Sequence, residues 1–236
     1  MSNSYFRFKQ FTVHHDRCAM KVGTDGVLLG AWCNMAEVGR ALDVGTGSGL
    51  IALMLAQRGV GQVDGVEVDE AAAGQAAENV QNSPFSDCVS IIQGSFDDFV
   101  GKCGEKYDLI VSNPPYFTDA LRPDDAGRSL ARHTGGLSYE AIVDGTCRLL
   151  GDAGRLALIL PYDHFDRFSQ LAQDKGFFLL RKAVVYPKPD SLPKRVLMEW
   201  GRVEGVCEEG ALVIELERHC YSSAFKALTR DFYLNV

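Results

Sequence analysis

Short apolar runs alternate with longer stretches in which apolar residues recur every three or four positions. The runs at 40–44, 62–69, 89–93, 107–112 and 154–160 predict strands. Between them, 50–58, 70–82 and 138–150 predict helices, the second ended by Asn82-Ser83-Pro84. The alternation then changes. A helix over 165–171 leads to a strand at 177–186, a proline-rich connection and a returning strand at 196–203, which together make an antiparallel pair. A last short strand at 211–216 and a helix over 221–233, with Phe225, Leu228 and Phe232 on one face, complete the pattern. Ahead of it, residues 6–13 alternate aromatic and polar side chains, as a half-buried strand or hairpin would. Gly23 marks a turn, and Thr24 or Asp25 can cap a helix whose apolar face is Val27, Leu28, Ala31 and Trp32. The fold class this predicts is α/β: a doubly wound, seven-stranded, mostly parallel sheet with an antiparallel C-terminal strand pair. With no repeat, linker or low-complexity block, residues 1–236 read as one domain carrying an N-terminal extension over about 5–35.

Three carboxyl ends of predicted strands carry chemistry. Gly45-Thr46-Gly47-Ser48-Gly49 follows the strand at 40–44 and opens a helix, as a cofactor-binding turn does. The glycines run GxGxG, and Leu50 stands where a dinucleotide fingerprint needs its third glycine. Asp43, two residues ahead of the loop, suits a ligand bearing an ammonium or hydroxyls better than a pyrophosphate. Glu67 ends the second strand about twenty residues on, where an acid accepts the ribose hydroxyls of an adenosine. Asp69 is the lesser candidate for that role and a natural cap for the next helix. After the third strand, Ser95 and Phe96 are placed to meet an adenine edge and face, with core packing as the other reading of Phe96.

Asn113-Pro114-Pro115-Tyr116 ends the fourth strand. Two prolines cannot continue a strand, and Pro114 biases Asn113 away from the helical region, so the chain turns there. Asn113 Oδ1 and the Pro114 carbonyl can each accept one N–H of a planar NH2 group, and Tyr116 can stack on its ring. Residues 118–136 then form a polar, glycine-containing stretch with Arg122, Arg128, Arg132 and His133, which reads as a basic lid or as a solvated loop. The connection at 187–195 adds Lys188, Lys194 and Arg195, either a solvated hairpin tip or a substrate contact.

Composition narrows the partners. A net charge of −7 argues against a broad electrostatic footprint for nucleic acid, though not against a local basic patch. No apolar run reaches membrane-spanning length, and Met1 to Tyr5 do not lead into an apolar segment of signal-peptide type. Seven cysteines, none in a CxxC pair, read as reduced thiols of a cytoplasmic protein. His15 and Cys18 resemble half a metal site, but no second pair completes it, so no metal is expected.

The glycine loop with Asn-Pro-Pro-Tyr resembles class I S-adenosylmethionine-dependent methyltransferases acting on a planar amino or amide nitrogen. Three further segments are similar to the bacterial valine-tRNA adenine-N6 methyltransferases, which modify the adenosine just 3′ of the anticodon: Phe6-Arg7-Phe8-Lys9-Gln10-Phe11, residues 20–32, and Leu228-Thr229-Arg230-Asp231-Phe232-Tyr233-Leu234. The resemblance implies that Gly45, Gly47 and Gly49 line the methionine part of S-adenosylmethionine, that Asp43 helps fix its ammonium, and that Glu67 binds its ribose. It implies that Lys21, Thr24 and Asp25 close the cofactor site, and that Asn113, Pro114 and Tyr116 hold the adenine N6 amino group and base. The expected contacts to tRNA are Pro115, Phe117, Arg122, Arg128, Arg132, Lys188, Lys194 and Arg195, made by a monomer. Related enzymes often carry an acid at the position of Ser95, which has only a neutral hydroxyl to offer an adenine amino group. A protein glutamine N5-methyltransferase is the alternative, since an amide NH2 fits the same tetrapeptide. Those enzymes typically carry a helical domain before the glycine loop, and only about forty residues precede Asp43 here.

Overall fold

The order of the strands in the main sheet explains why distant motifs meet. A computed structural model describes residues 3–116 and 137–235. Phe117, the basic lid expected over 118–136 and its Arg122, Arg128, Arg132 and His133 lie outside the described residues. In chain order the central elements are β3 (Arg40–Val44), α2 (Leu50–Gln57), β4 (Gln62–Glu67), α3 (Glu70–Gln81), β5 (Val89–Gln93), α4 (Phe96–Lys102), β6 (Tyr107–Ser112), α5 (Tyr139–Leu149) and β7 (Leu150–Pro161). Then come α6 (Phe165–Asp174), β8 (Phe178–Tyr186), β9 (Arg195–Gly201) and β10 (Glu208–Val213). The sheet runs β10-β8-β9-β7-β6-β3-β4-β5. β3, β4, β5, β6 and β7 are parallel, β9 is antiparallel to both β7 and β8, and β10 is parallel to β8. Of the eight strands only β9 runs against the rest. The eighth is the short strand expected at 211–216: it begins earlier, at Glu208, and pairs with the exposed edge of β8.

Strand order reverses between β3 and β6, which pair directly, Val44 opposite Ser112. The Ser112 hydroxyl donates to the Val44 carbonyl at 2.8 Å. A crevice opens beyond the carboxyl ends at such a reversal. The loops leaving Val44 and Ser112 are the glycine loop and the tetrapeptide.

Side chains alternate between the two faces of the sheet, as the strand period requires. Leu109, Val111, Ala157 and Ile159 join a core with α2 and α1 (Thr24–Trp32), while Ile110, Leu156 and Leu158 join one with α4, α5 and α6. The helix α2 is expected to be apolar on one face, yet Leu50 to Ala56 are all buried. The cause is α1, which packs against it closely enough that a Cβ on Gly30 would lie 2.9 Å from Met54 Sδ.

The N-terminal segment is a hairpin of β1 (Tyr5–Arg7) and β2 (Thr12–His14). It buries Phe8, Phe11 and Val13 against the rest of the chain. Two local expectations change. Gly23, not Thr24 or Asp25, is the cap of α1, and no side chain bonds there, because the Asp25 carboxylate is engaged across the site instead. The helix predicted over 221–233 contracts to α7 (Ser223–Thr229), capped by Ser222. Phe232 and Tyr233 leave it to pair with the hairpin, Lys9 N–H donating to the Phe232 carbonyl at 2.8 Å and Tyr233 bridging to Phe8. Between β10 and α7 the short strands β11 (Glu215–Glu217) and β12 (Cys220–Tyr221) pair with each other.

Helix α5 crosses α4 at a glycine. A Cβ on Gly145 would fall 2.3 Å from Phe96 Cε1 and 3.0 Å from Val100 Cγ2. Gly145→Ala is therefore expected to destabilise the fold by about 1–3 kcal/mol, although alanine is the better helix former by about 1 kcal/mol. Gly74→Ala in α3, where a Cβ meets nothing within 4 Å, is the control and should stabilise by about 0.5–1 kcal/mol. Urea denaturation of both variants checks the opposite signs.

Candidate active site

A cleft of about 990 Å³ lies at the carboxyl ends of β3, β4, β5 and β6. Its floor is the glycine loop. Gly45, Gly47 and Gly49 have φ of 71°, 55° and 80°, in the left-handed region that favours glycine. Gly45 and Gly47 line the cleft, and a Cβ on Gly47 would meet nothing within 4 Å. Gly49 does not line it: its missing side chain faces Ala76 of α3 at 3.4 Å, so it serves helix packing and the start of α2.

Asp43 lies beneath this loop, not in the cleft wall. It is fully buried, and its Oδ2 accepts from the Thr46 hydroxyl at 2.6 Å and the Ala52 amide at 3.1 Å. Oδ1 is buried without a hydrogen-bond partner. Burial pushes the carboxyl up to about 7, against the two hydrogen bonds, which lower it. Glu67 does line the cleft. Its Oε2 accepts from the Gly47 amide at 2.8 Å and its Oε1 from the Asp69 amide at 3.0 Å, so one carboxylate fixes both the glycine loop and the entry to α3. Asp69 caps that helix, accepting from the Ala72 amide at 2.8 Å.

Ser95 and Phe96 both line the cleft. Ser95 is also the cap of α4: its hydroxyl accepts from the Asp98 amide at 3.1 Å and donates to Asp98 Oδ2 at 2.8 Å. Its only proton is thereby used, leaving one lone pair to offer a ligand. The Phe96 ring packs against α5 as well as facing the cleft, so it combines both roles weighed for it.

The opposite wall is the chain from Cys18 to Gly26, including Lys21, Thr24 and Asp25. Two buried amides of α3, absent from the sequence-based candidates, hold it. Gln75 accepts from the Arg17 amide at 3.0 Å and donates to Asp16 at 2.7 Å. Asn79 accepts from the His14 amide at 2.9 Å and donates to the carbonyls of His14 and Ser48. Spaced i, i+4 in an alanine-rich helix, they share one face. His15 bonds to the Asn3 carbonyl and the Val22 amide, while the Cys18 thiol donates to Gln75, so the half metal site is not formed. Among the described residues no group of three metal-ligating side chains converges.

Asn113 and Pro115 line the same cleft, whereas Pro114 is buried behind them. The hydroxyl of half-buried Tyr116 lies 2.8 Å from Asn113 Oδ1 and 3.0 Å from Asp25 Oδ2. Burial, and then the Asp25 charge, push that phenol well above its usual range, so it stays neutral. Arg195 donates its Nε–H to Asp25 Oδ2 at 2.7 Å, and its guanidinium carbon sits 4.9 Å over the Tyr116 ring. Lys188 and Lys194 are exposed on the turn that Arg195 ends. The three basic residues expected to act alike thus divide, with Arg195 turned inward.

The Methyltransferase small domain model matches residues 21–181. A tRNA1(Val) (adenine(37)-N6)-methyltransferase of Bacteroides fragilis is 46% identical over 237 residues, covering 100% of both chains. One of the same name from Trichodesmium erythraeum is 44% identical over 99% of each. The crystal structure of a predicted O-methyltransferase from Agrobacterium tumefaciens superposes with a TM-score of 0.68 at 17% identity, over 90% of this chain and 100% of the other, a likeness of fold alone.

The buried Asp43 makes stability pH-dependent with a defined sign. The folded protein keeps its proton up to about pH 7, while an unfolded aspartate releases it near pH 4. The stability gained from the neutral form is whole below about pH 4 and is lost as pH rises through 7. Unfolding free energies of wild type minus Asp43→Asn, measured from pH 4 to 8, should fall across that window by at most about 4 kcal/mol.

Proposed function

The chain belongs to the methyltransferase small-domain family and, within it, to the tRNA1(Val) (adenine(37)-N6)-methyltransferases, and we propose that it methylates N6 of adenosine 37 in tRNA1(Val) with S-adenosylmethionine as donor. The observation that carries the site's part in this reading is that Asn113 and Pro115 open onto the same cleft as Gly45, Gly47 and Glu67.

The residues present fit the cofactor. Gly45 and Gly47 leave no Cβ in its way, Glu67 keeps a second lone pair on each oxygen for ribose hydroxyls, and Asp43 Oδ1 is a buried acceptor without a partner beneath the loop. Lys21, Thr24, Ser95 and Phe96 would complete the enclosure. When bound, S-adenosylmethionine supplies an electrophilic methyl group on a sulfonium.

The chain's own task is the nucleophile. An adenine amino group is poor because its lone pair is delocalised into the ring. Asn113 Oδ1 and the Pro114 carbonyl would each accept one of its N–H bonds, letting the nitrogen pyramidalise and aim the freed lone pair along the cleft. Both acceptors are neutral oxygens, so no side chain has to be deprotonated beforehand, and rate comes from orientation and electrostatics. The base must be splayed from the anticodon loop to reach them. Arg195 covers one face of Tyr116, so the base would stack on the other. Exposed Lys188 and Lys194 supply local positive charge for phosphates on a chain of net charge −7.

Asn113→Ala is expected to lower kcat by about a hundredfold or more while leaving cofactor affinity within about threefold of wild type. Labelled S-adenosylmethionine with unmodified tRNA1(Val), followed by digestion to nucleosides, measures the first; calorimetry measures the second. Undiminished N6-methyladenosine from the variant removes Asn113 from this role, and label in a glutamine amide of added protein would reassign the substrate.

A further inference from the structure

Tyr116 has one hydroxyl proton and two acceptors. Asn113 Oδ1 lies at 2.8 Å and Asp25 Oδ2 at 3.0 Å. The same Asp25 oxygen is fixed by Arg195 Nε at 2.7 Å, and the Arg195 guanidinium lies over the Tyr116 ring. The three side chains come from the first turn of α1, the start of β9 and the loop after β6. Asn113 itself is seated against α1, its Nδ2 3.9 Å from where a Cβ on Gly26 would be.

From this geometry, and resting on the amino-binding role read for Asn113, we propose that Asp25, braced by Arg195, is a positioning residue: it takes the Tyr116 hydroxyl proton and so releases Asn113 Oδ1 for the amino group of the substrate. A carbonyl oxygen shared between two donors holds each more weakly. Were Asn113 the only acceptor within reach, the half-buried phenol would have to keep competing for Oδ1 or leave its own donor unsatisfied. Asp25 removes that conflict. A carboxylate is the stronger acceptor, so the proton rests there when the amino group arrives, and the phenol ring stays in place to stack. Arg195 contributes twice, by fixing the direction of the carboxylate and by holding the ring from above. No bond is made or broken in this step beyond the exchange of one hydrogen bond for another.

A double-mutant cycle on kcat, at saturating cofactor and tRNA1(Val), tests the idea. Asp25→Ala should lower kcat by about tenfold, the worth of one misdirected hydrogen bond. Asp25→Asn, whose carbonyl can still accept from Tyr116, should keep most of the activity. Tyr116→Phe should lower kcat in the wild-type background yet raise it about fivefold when added to Asp25→Ala, because it removes the competitor. A merely structural Asp25 would give no such reversal. Thermal melts and cofactor affinity of each variant accompany the rates. Should Asp25→Ala fail to fold, Arg195→Met takes its place in the same cycle with the same expected reversal. Tyr116→Phe acting by one factor in both backgrounds, or Asp25→Asn as inactive as Asp25→Ala, overturns the inference and leaves the proposed function standing. A wild-type protein that makes no N6-methyladenosine overturns both.

Discussion

A single buried carboxylate underlies the site. Asp43 ends β3 with both hydrogen bonds of its Oδ2 directed at the loop it leads into, one to Thr46 and one to the first turn of α2. Three residues of that loop hold left-handed φ, and no tight turn of this kind persists unless its ends are pinned. Thr46 is pinned further by its own amide on the Val66 carbonyl, and Gly47 by Glu67. Gly65 must stay bare for this to happen, since a Cβ there would lie 3.0 Å from Thr46 Oγ1. The cost is a carboxyl pushed toward neutrality in the interior, with one oxygen unmatched. Stability is given up where chemistry is prepared.

Topology then brings the second half of the site to the first. Because β3 and β6 are neighbours, the loops that leave them open side by side, although the glycine loop and the tetrapeptide are far apart in the chain. The remaining contact is made from outside the sheet. Asp25 reaches across from α1, and Arg195 arrives from the turn before the antiparallel strand β9. An antiparallel strand inserted between β7 and β8 is what returns that turn to the carboxyl edge.

Much of this was legible in the residues. Apolar runs of strand length, glycines at strand ends and the Asn113-Pro114 step each carry their meaning locally, and so did the Asp69 cap. What was not legible is pairing at long range. Asp25 and Arg195 each read as a local feature, a helix cap and a hairpin-tip charge, and only their meeting gives them a shared task. Gly49 looks like its two companions in the motif, but the left-handed turn aims its open side at Ala76. Gln75 and Asn79 resemble surface polar residues of an alanine-rich helix, and both are buried. Ser95 hid its cap for a different reason: Ser-x-x-Asp is a helix-start pattern, outweighed by its nearness to an expected ligand.

The hairpin at the start of the chain is completed by residues at its far end. Phe8 bridges to Tyr233, their rings stack at 5.9 Å, and Lys9 bonds to Phe232. The cleft wall from Cys18 to Gly26 hangs directly from that hairpin. A ribosome releases the glycine loop early and residues 232–233 almost last. The nascent chain can therefore form most of its sheet while one side of the cleft is still loosely held. Catalytic competence is acquired at the close of translation, when the final aromatic residues emerge and fasten the first ones.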